Sequence, residues 1–364
     1  MVLLYIFAFV VLINCSFYLL FSKFSFSLSS EKKNKENFPV SLIVCAKNEA
    51  ENLKANIPFW LSQNYSDFEI ILINDASYDE SQDVMESFAE NHSNIKIVNV
   101  ENNEAFWGSK KYALTLGIKK ASHQRMIFTD ADCKPASDNW LQEMASHFSV
   151  EKQVILGFGG YLKLSGLLNK LIRFETFMTA VQYFSYAKAG IPYMGVGRNL
   201  GYTSKIYYDN RGFMSHMDIP SGDDDLFVNE VATKVNTAIC FTKDSFTYSE
   251  PKRTWKEWIH QKTRHISTAK HYQAKHKFLL GLYFISQVLF WVLTIVSFIL
   301  LDWKIPLAIV LFRLMIQYIV LIKAAKNLDQ KDLLYWLPFL EVFLIIFQFS
   351  IFISNSSSKP TSWK

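Results

Sequence analysis

The stretch Arg125-Met126-Ile127-Phe128-Thr129-Asp130-Ala131-Asp132-Cys133 decides how the chain is read. Met126, Ile127 and Phe128 form a short apolar run, closed downstream by Lys134-Pro135. Such a run suits a buried central strand of a parallel sheet. The strand runs out into two carboxylates. Asp130 and Asp132 are two apart, so an extended chain sends both side chains to one side. Converging carboxylates repel unless a cation lies between them, and Mg²⁺ or Mn²⁺ shared with phosphate oxygens is the natural choice. Open α/β sheets also bind ligands at the C-terminal ends of their strands. A lone Asp-x-Asp is more often a solvated turn than a metal site, so its surroundings must decide.

Upstream, strand and helix alternate. Apolar runs at 40–46, 68–73 and 95–100 read as strands. Segments 49–63, with Pro58 breaking or bending it, 79–91 and 109–121 read as helices. Downstream come a helix at 138–148, capped by Ser137 or Asp138, and a glycine-containing strand at 154–161. The alternation predicts a doubly wound α/β layer with a mostly parallel sheet. No Gly-x-Gly-x-x-Gly or Walker sequence is present, so a nucleotide is not held by either of those devices.

Composition makes the protein part soluble domain and part membrane anchor. Of 364 residues, 50% are hydrophobic and 20% charged, and phenylalanine alone counts 31. Residues 2–21 are nearly all apolar and reach the ~20 residues a helix needs to cross a bilayer. A cleaved signal peptide would carry a basic start and a small-x-small cleavage site, and neither is evident. Lys32, Lys33 and Lys35 follow, which places the downstream side in the cytoplasm. Further spans fall at 278–301, 305–322 with Arg313, and 333–354 with Glu341. Asp302-Trp303-Lys304 would lie outside and Lys323, Lys326 and Lys331 inside. Intramembrane charges rarely stand alone, so Arg313 and Glu341 are expected to pair. The net charge of +5 is modest and clustered, which argues against nucleic acid as a partner. Cys15, Cys45, Cys133 and Cys240 form no Cys-x-x-Cys pair, so no zinc or redox signature is present.

Four more segments bear on chemistry. Residues 162–189 are apolar and aromatic, and read equally as a core helix or as an amphipathic helix on the bilayer face. Gly195-Val196-Gly197-Arg198-Asn199-Leu200-Gly201 is a turn where backbone can approach a ligand closely. Asp223-Asp224-Asp225 opens a helix at 226–233 with more acid than a helix N-terminus needs. Residues 251–277 are basic and aromatic, as suits lipid headgroups, and put Gln261 and Arg264 one helical turn apart.

Six elements in order carry a resemblance: Val44-Cys45-Ala46-Lys47-Asn48-Glu49, Asn74-Asp75-Ala76-Ser77, Gly108-Ser109-Lys110, Asp130-Ala131-Asp132, Gly222-Asp223-Asp224 and Gln261-Lys262-Thr263-Arg264. Together they resemble the membrane-bound members of glycosyltransferase family 2. The resemblance covers roughly residues 40–265, with terminal spans arranged as in that family. It implies a GT-A fold and inverting transfer from a nucleotide-diphosphate sugar, leaning to UDP. It implies that Asp75 holds the base or ribose, with Asn48, Glu49 and Lys110 in the same pocket. Asp130 and Asp132 would contact the sugar-nucleotide and hold the metal, and Asp224 would be the base, with Asp223 and Asp225 as rivals. Gln261 and Arg264 would lie near diphosphate and acceptor. The family's Gly-Lys is one residue longer here, leaving Lys110 and Lys111 both open, and His265 replaces the tryptophan that often follows Gln-x-x-Arg.

The chemistry asks for the same set. A departing nucleoside diphosphate gathers negative charge that a divalent ion and an arginine stabilise. A hydroxyl acceptor needs a carboxylate to take its proton. Two separate acidic clusters serve those two tasks. The expected layout is an anchor at 1–22, a linker at 23–38, a GT-A-like catalytic domain at 39–250, a basic interfacial segment at 251–277, three spans at 278–354 and a tail at 355–364. The expected acceptor is a lipid-linked or membrane-proximal glycan. The alternative reading is a sugar-nucleotide-binding membrane scaffold without transfer activity. A transporter is disfavoured by the few charges within the spans.

Overall fold

The structure is a computed structural model describing residues 1–28, 37–101 and 110–355, apart from the side chains of 265–267 and 352–355. Lys32, Lys33, Lys35, Gly108, Ser109 and the tail from 356 onward lie outside the described residues, as does the His265 side chain.

Helix α1 (Val2–Ser25) leads into the alternating layer: β1 (Val40–Ala46), α2 (Ala50–Leu61), β2 (Phe68–Asp75), α3 (Ser81–Asn91), β3 (Ile95–Val100), α4 (Lys110–Lys120) and β4 (Arg125–Asp130). There follow β5 (Cys133–Pro135), α5 (Trp140–Ala145), β6 (Val154–Leu156), β7 (Gly159–Tyr161), α6 (Leu167–Lys188), β8 (Leu200–Thr203), α7 (Ser204–Asp209), α8 (Asp225–Val231), β9 (Thr237–Ile239) and β10 (Thr247–Ser249). The chain ends in α9 (Trp255–Ala269), α10 (Ala274–Leu300), α11 (Lys304–Asn327) and α12 (Leu337–Asn355).

Seven strands form one sheet in the order β3-β2-β1-β4-β8-β6-β9. The β3-β2-β1-β4 half is parallel throughout, and β8 runs antiparallel between β4 and β6. Every residue of β1 is buried, as is expected of a parallel strand covered on both faces. β5, β10 and β7 make a second, three-stranded sheet.

Three local expectations change. The strand expected at 154–161 is two strands in different sheets, broken at Gly157. The Gly157 N–H donates to the Asn199 carbonyl at 3.0 Å, and a Cβ there would collide with the Asn199 side chain. The cap of α5 is Asn139 rather than Ser137 or Asp138; the Ser137 hydroxyl instead accepts from the Asn139 N–H at 3.1 Å. Residues 131–132 form a tight turn between β4 and β5, so Asp130 and Asp132 converge through that turn and not along an extended strand.

α6 resolves as a core helix. Phe174, Phe177, Val181 and Phe184 are buried, the Ser185 hydroxyl donates to the Phe21 carbonyl of α1 at 3.2 Å, and Phe24 packs on Phe184. Its Arg173 donates to Asp332 at 2.8 and 2.9 Å and to Gln330 at 2.7 and 3.0 Å, tying the helix to the α11–α12 connection.

Among the described residues, four helical segments are long and apolar enough to cross a membrane: Val2–Ser25, Ala274–Leu300, Lys304–Asn327 and Lys331–Ile351. The pair expected between these helices is present. Arg313 is fully buried and its Nη2 lies 2.5 Å from Glu341 Oε1. Arg313 also donates to Asn14 of α1 at 2.8 Å and to Gln287 of α10 at 2.6 Å, so one guanidinium ties all four helices together. Helix α9 is pinned to this bundle by Trp258, which stacks on Phe347 with centroids 4.0 Å apart.

Candidate active site

The C-terminal ends of β1 and β4, the loop before α8 and helix α9 enclose a cavity of about 590 Å³. Asp130 and Asp132 wall one side, Asp223, Asp224 and Asp225 another, and Gln261 and Arg264 a third.

Lys110 stands between the two acidic clusters. Its ammonium lies 2.8 Å from Asp130 and 3.2 Å from Asp223. Burial alone would raise the Asp130 carboxyl, but the Lys110 charge and hydrogen bond overcome it and hold Asp130 below the usual range. Lys111 goes elsewhere. It is buried and donates to the backbone carbonyls of His216 and Ile219, both at 2.5 Å, and of Ser221 at 2.9 Å. The two lysines left open by the sequence therefore divide: Lys110 faces the cavity and Lys111 holds the loop that leads into the acidic triplet.

The triplet divides as well. Asp225 is buried, and its carboxylate accepts from the Tyr272 hydroxyl at 2.7 Å and from Thr268. Asp223 is engaged by Lys110. Asp224 is the N-cap of α8. It accepts from the Gly197 N–H at 2.6 Å and the Asp225 N–H at 2.7 Å. Burial, with the charges of Asp223 and Asp225, pushes Asp224 up to about 7. The glycine-rich turn thus brings its backbone close to Asp224 of the same chain.

Asp132 is pushed up to about 6 by burial and then by the charges of Asp130 and Glu49. The donor atoms of Asp130, Asp132 and Cys133 lie within 4.8 Å of one another. Burial and the two carboxylates push the Cys133 thiol well above its usual value, so it stays protonated and points a weak donor at Asp132, 3.5 Å away. Oxygen ligands are left, which fits a hard divalent ion such as Mg²⁺ or Mn²⁺, and such an ion would relieve the repulsion that raises Asp132.

Glu49 lines the cavity at the start of α2. Asn48 and Asp75 do not reach its wall. Asn48, at φ 54°, accepts from the Tyr78 N–H at 2.8 Å and so joins the loops after β1 and β2. Asp75 is buried 3.6 Å from Lys47, whose side chain does line the cavity. Arg198 went unremarked in the sequence. Its guanidinium sits 4.3 Å over the Tyr161 ring, donates to the Gly160 carbonyl at 3.1 Å and lines the cavity beside Asp132. The cation within a glycine-rich turn was the available signal.

Residues 41–198 match the sequence profile of the family described as Glycosyl transferase family 2. The chain carries a family 2 glycosyltransferase domain. It is similar to a poly-β-1,6-N-acetyl-D-glucosamine synthase of Staphylococcus epidermidis, 33% identical over 109 residues, 30% of this chain and 25% of that one. It is similar to a cholesterol galactosyltransferase of Borreliella burgdorferi, 37% identical over 95 residues, 26% of this chain and 25% of that one. The chain thus spans about a quarter of the length of these relatives. Among solved structures, the mannosyltransferase PcManGT of Pyrobaculum calidifontis, in complex with GDP-Man and Mn²⁺, aligns over 99% of both chains with a TM-score of 0.63 at 13% identity. The glycosyltransferase domain therefore belongs to a GT-A-like α/β fold, flanked by one N-terminal and three C-terminal apolar helices.

Proposed function

We propose that the chain is a membrane-anchored inverting glycosyltransferase, moving a sugar from a nucleotide-diphosphate sugar to a hydroxyl of a lipid-linked or membrane-proximal glycan acceptor. One observation carries the reading: a single cavity is walled by both acidic clusters and by a Gln-x-x-Arg helix that leads straight into the spans. The proposed donor leans to UDP, on the family resemblance. The proposed setting is a bacterial inner membrane, with the domain at 39–250 and the interfacial segment at 251–277 on the cytoplasmic side.

In the proposed reaction the acceptor oxygen attacks the anomeric carbon from the side opposite the diphosphate, and the glycosidic bond to phosphate breaks as the new bond forms. Asp224 takes the acceptor proton. Its elevated proton affinity suits a base working near neutrality. Arg264 faces the charge that gathers on the departing diphosphate, while Lys110 keeps Asp130 and the triplet at a fixed separation. A divalent ion held by Asp130 and Asp132 would supply the remaining charge stabilisation.

The test is nucleoside diphosphate release by the full chain in detergent with membrane lipids, against UDP-sugars and GDP-mannose, with Mn²⁺ or Mg²⁺. Release with one donor, lost in Asp132→Asn and Asp224→Asn, is the expected result. Nucleotide binding without release, and unchanged by Asp224→Asn, would support the scaffold reading instead.

A further inference from the structure

The cavity continues past Asp224 toward the spans. At that end it is walled by Glu175, Thr176 and Thr179 of α6 and by Gln261 and Lys262 of α9. Leu280 of α10 and Phe347 of α12 line its apolar limit. Two features define this end chemically. Lys262 is only 2.5 Å from Glu175, so its charge is already neutralised within the wall. Thr176 is 8% exposed, and its hydroxyl has no hydrogen-bond partner among the described residues; the Gln261 Oε1 is likewise buried without one. Buried polar atoms are nearly always satisfied, and an orphan on a residue that lines a cavity marks a place where a ligand atom, met by a side-chain rotation, completes the bond.

We propose that this α6–α9 end of the cavity is the acceptor subsite, and that it takes an uncharged polyhydroxyl headgroup, a sugar or glycerol moiety, whose apolar tail leaves past Leu280 and Phe347. The inference rests on the functional reading above and narrows its acceptor. A phosphate headgroup needs an uncommitted cation beside it, and on the α6 wall Lys262 is already paired with Glu175, while Lys252 and His260 line the same cavity. A polyol needs neutral donors and acceptors at short spacing. The Thr176 hydroxyl, the Thr179 hydroxyl, which donates to Glu175 at 3.4 Å, and the Gln261 amide are of that kind. Apolar side chains at the mouth separate a tailed acceptor from a free glycan.

The probes are monoglucosyl diacylglycerol, diacylglycerol, phosphatidic acid and soluble maltotriose. Each is offered to the full chain in nanodiscs, with binding read by native mass spectrometry and, once a donor is known, by acceptor KM. UDP and GDP affinity with Mn²⁺ is read in parallel. The parent is expected to retain the glucosyl or glycerol lipid over phosphatidic acid and maltotriose. Thr176→Val should weaken it about tenfold, the worth of one buried hydrogen bond, with nucleotide affinity unchanged and Thr176→Ser restoring it. Glu175→Gln frees the Lys262 charge and should shift preference toward phosphatidic acid. Preference for phosphatidic acid in the parent, or lipid binding indifferent to Thr176→Val and Glu175→Gln, overturns the subsite. So does binding of none of the four while nucleotide affinity is intact. Absence of nucleotide affinity instead overturns the glycosyltransferase reading beneath it, and native mass spectrometry still scores the lipid arms independently.

Discussion

Asp224 is held by two backbone N–H groups yet is buried beside two neighbouring carboxylates, and burial, with their charge added, wins. Its carboxyl is lifted from 3.8 to about 7, so the proton-free base becomes abundant only near neutrality. Turnover should therefore climb through about pH 6–8, reach half its plateau near pH 7 and level off above about pH 8, and Asp224→Asn should lower kcat by about 10²–10⁴-fold. A second readout separates base from scaffold. A carboxyl raised in the folded state contributes stability below its unfolded pKa and loses it as pH rises through the folded value. Relative to the parent, the asparagine variant should thus gain melting temperature from about pH 4 to about pH 7 and no more beyond, in metal-free buffer. A pH-independent gap between the two melting curves would show that Asp224 is not raised at all. The sequence made the triplet conspicuous but could not divide it. Asp223, Asp224 and Asp225 are alike in composition. What separates them are partners far along the chain: Lys110, Gly197, and Thr268 with Tyr272. Arg198 was missed for the same reason, since its neighbours Gly160 and Tyr161 lie in another sheet.

At the scale of elements, helix α4 presents two adjacent lysines to opposite tasks, one in the cavity and one buried in the protein. Lys111 caps three carbonyls of the loop 216–221, which runs directly into Gly222 and the acids. Lys111→Met would leave those carbonyls without a charged donor, at about 2 kcal/mol or more, or roughly 4–8 °C in melting temperature for a domain of this size. The loop carries Asp223 and Asp224 but no nucleotide-facing lysine, so kcat should fall further than nucleotide affinity. Equal loss of both would argue that Lys111 merely stabilises the domain. The strands themselves were legible, because β1, β2 and β4 each carry a short apolar run (42–44, 70–73 and 126–128) buried on both faces. The exchange of 154–161 between two sheets was not, since Gly157 yields to the side chain of Asn199, more than forty residues on. Nor was the tight turn at Ala131-Asp132, which delivers by turn geometry the convergence that an extended strand was expected to give.

The whole molecule is a glycosyltransferase domain seated on a helical bundle that has a charge pair at its centre. Length and apolarity made the spans readable one at a time. That α1, from the far end of the chain, completes the bundle became visible only through the polar side chains it contributes, Asn14 and Tyr18, to the Arg313–Glu341 pair. Such a pair is weak evidence of stability, because taking both charges out of water costs about as much as their attraction returns. Removing one partner is a different matter, since it strands the other charge in an apolar interior at about 3–5 kcal/mol. Arg313→Leu and Glu341→Leu should each lower the melting temperature in detergent sharply, and their combination should melt closer to the parent than either single variant. If the pair instead specifies which helices meet, the double variant will be folded and yet lose the register between α1 and α11. Cysteine pairs at facing α1 and α11 positions would then crosslink in the parent and not in the double variant. If the double variant is as unstable as the worse single one, the stabilisation lies in the surrounding amides of Asn14, Gln287 and Gln317, which Arg313 alone would be organising.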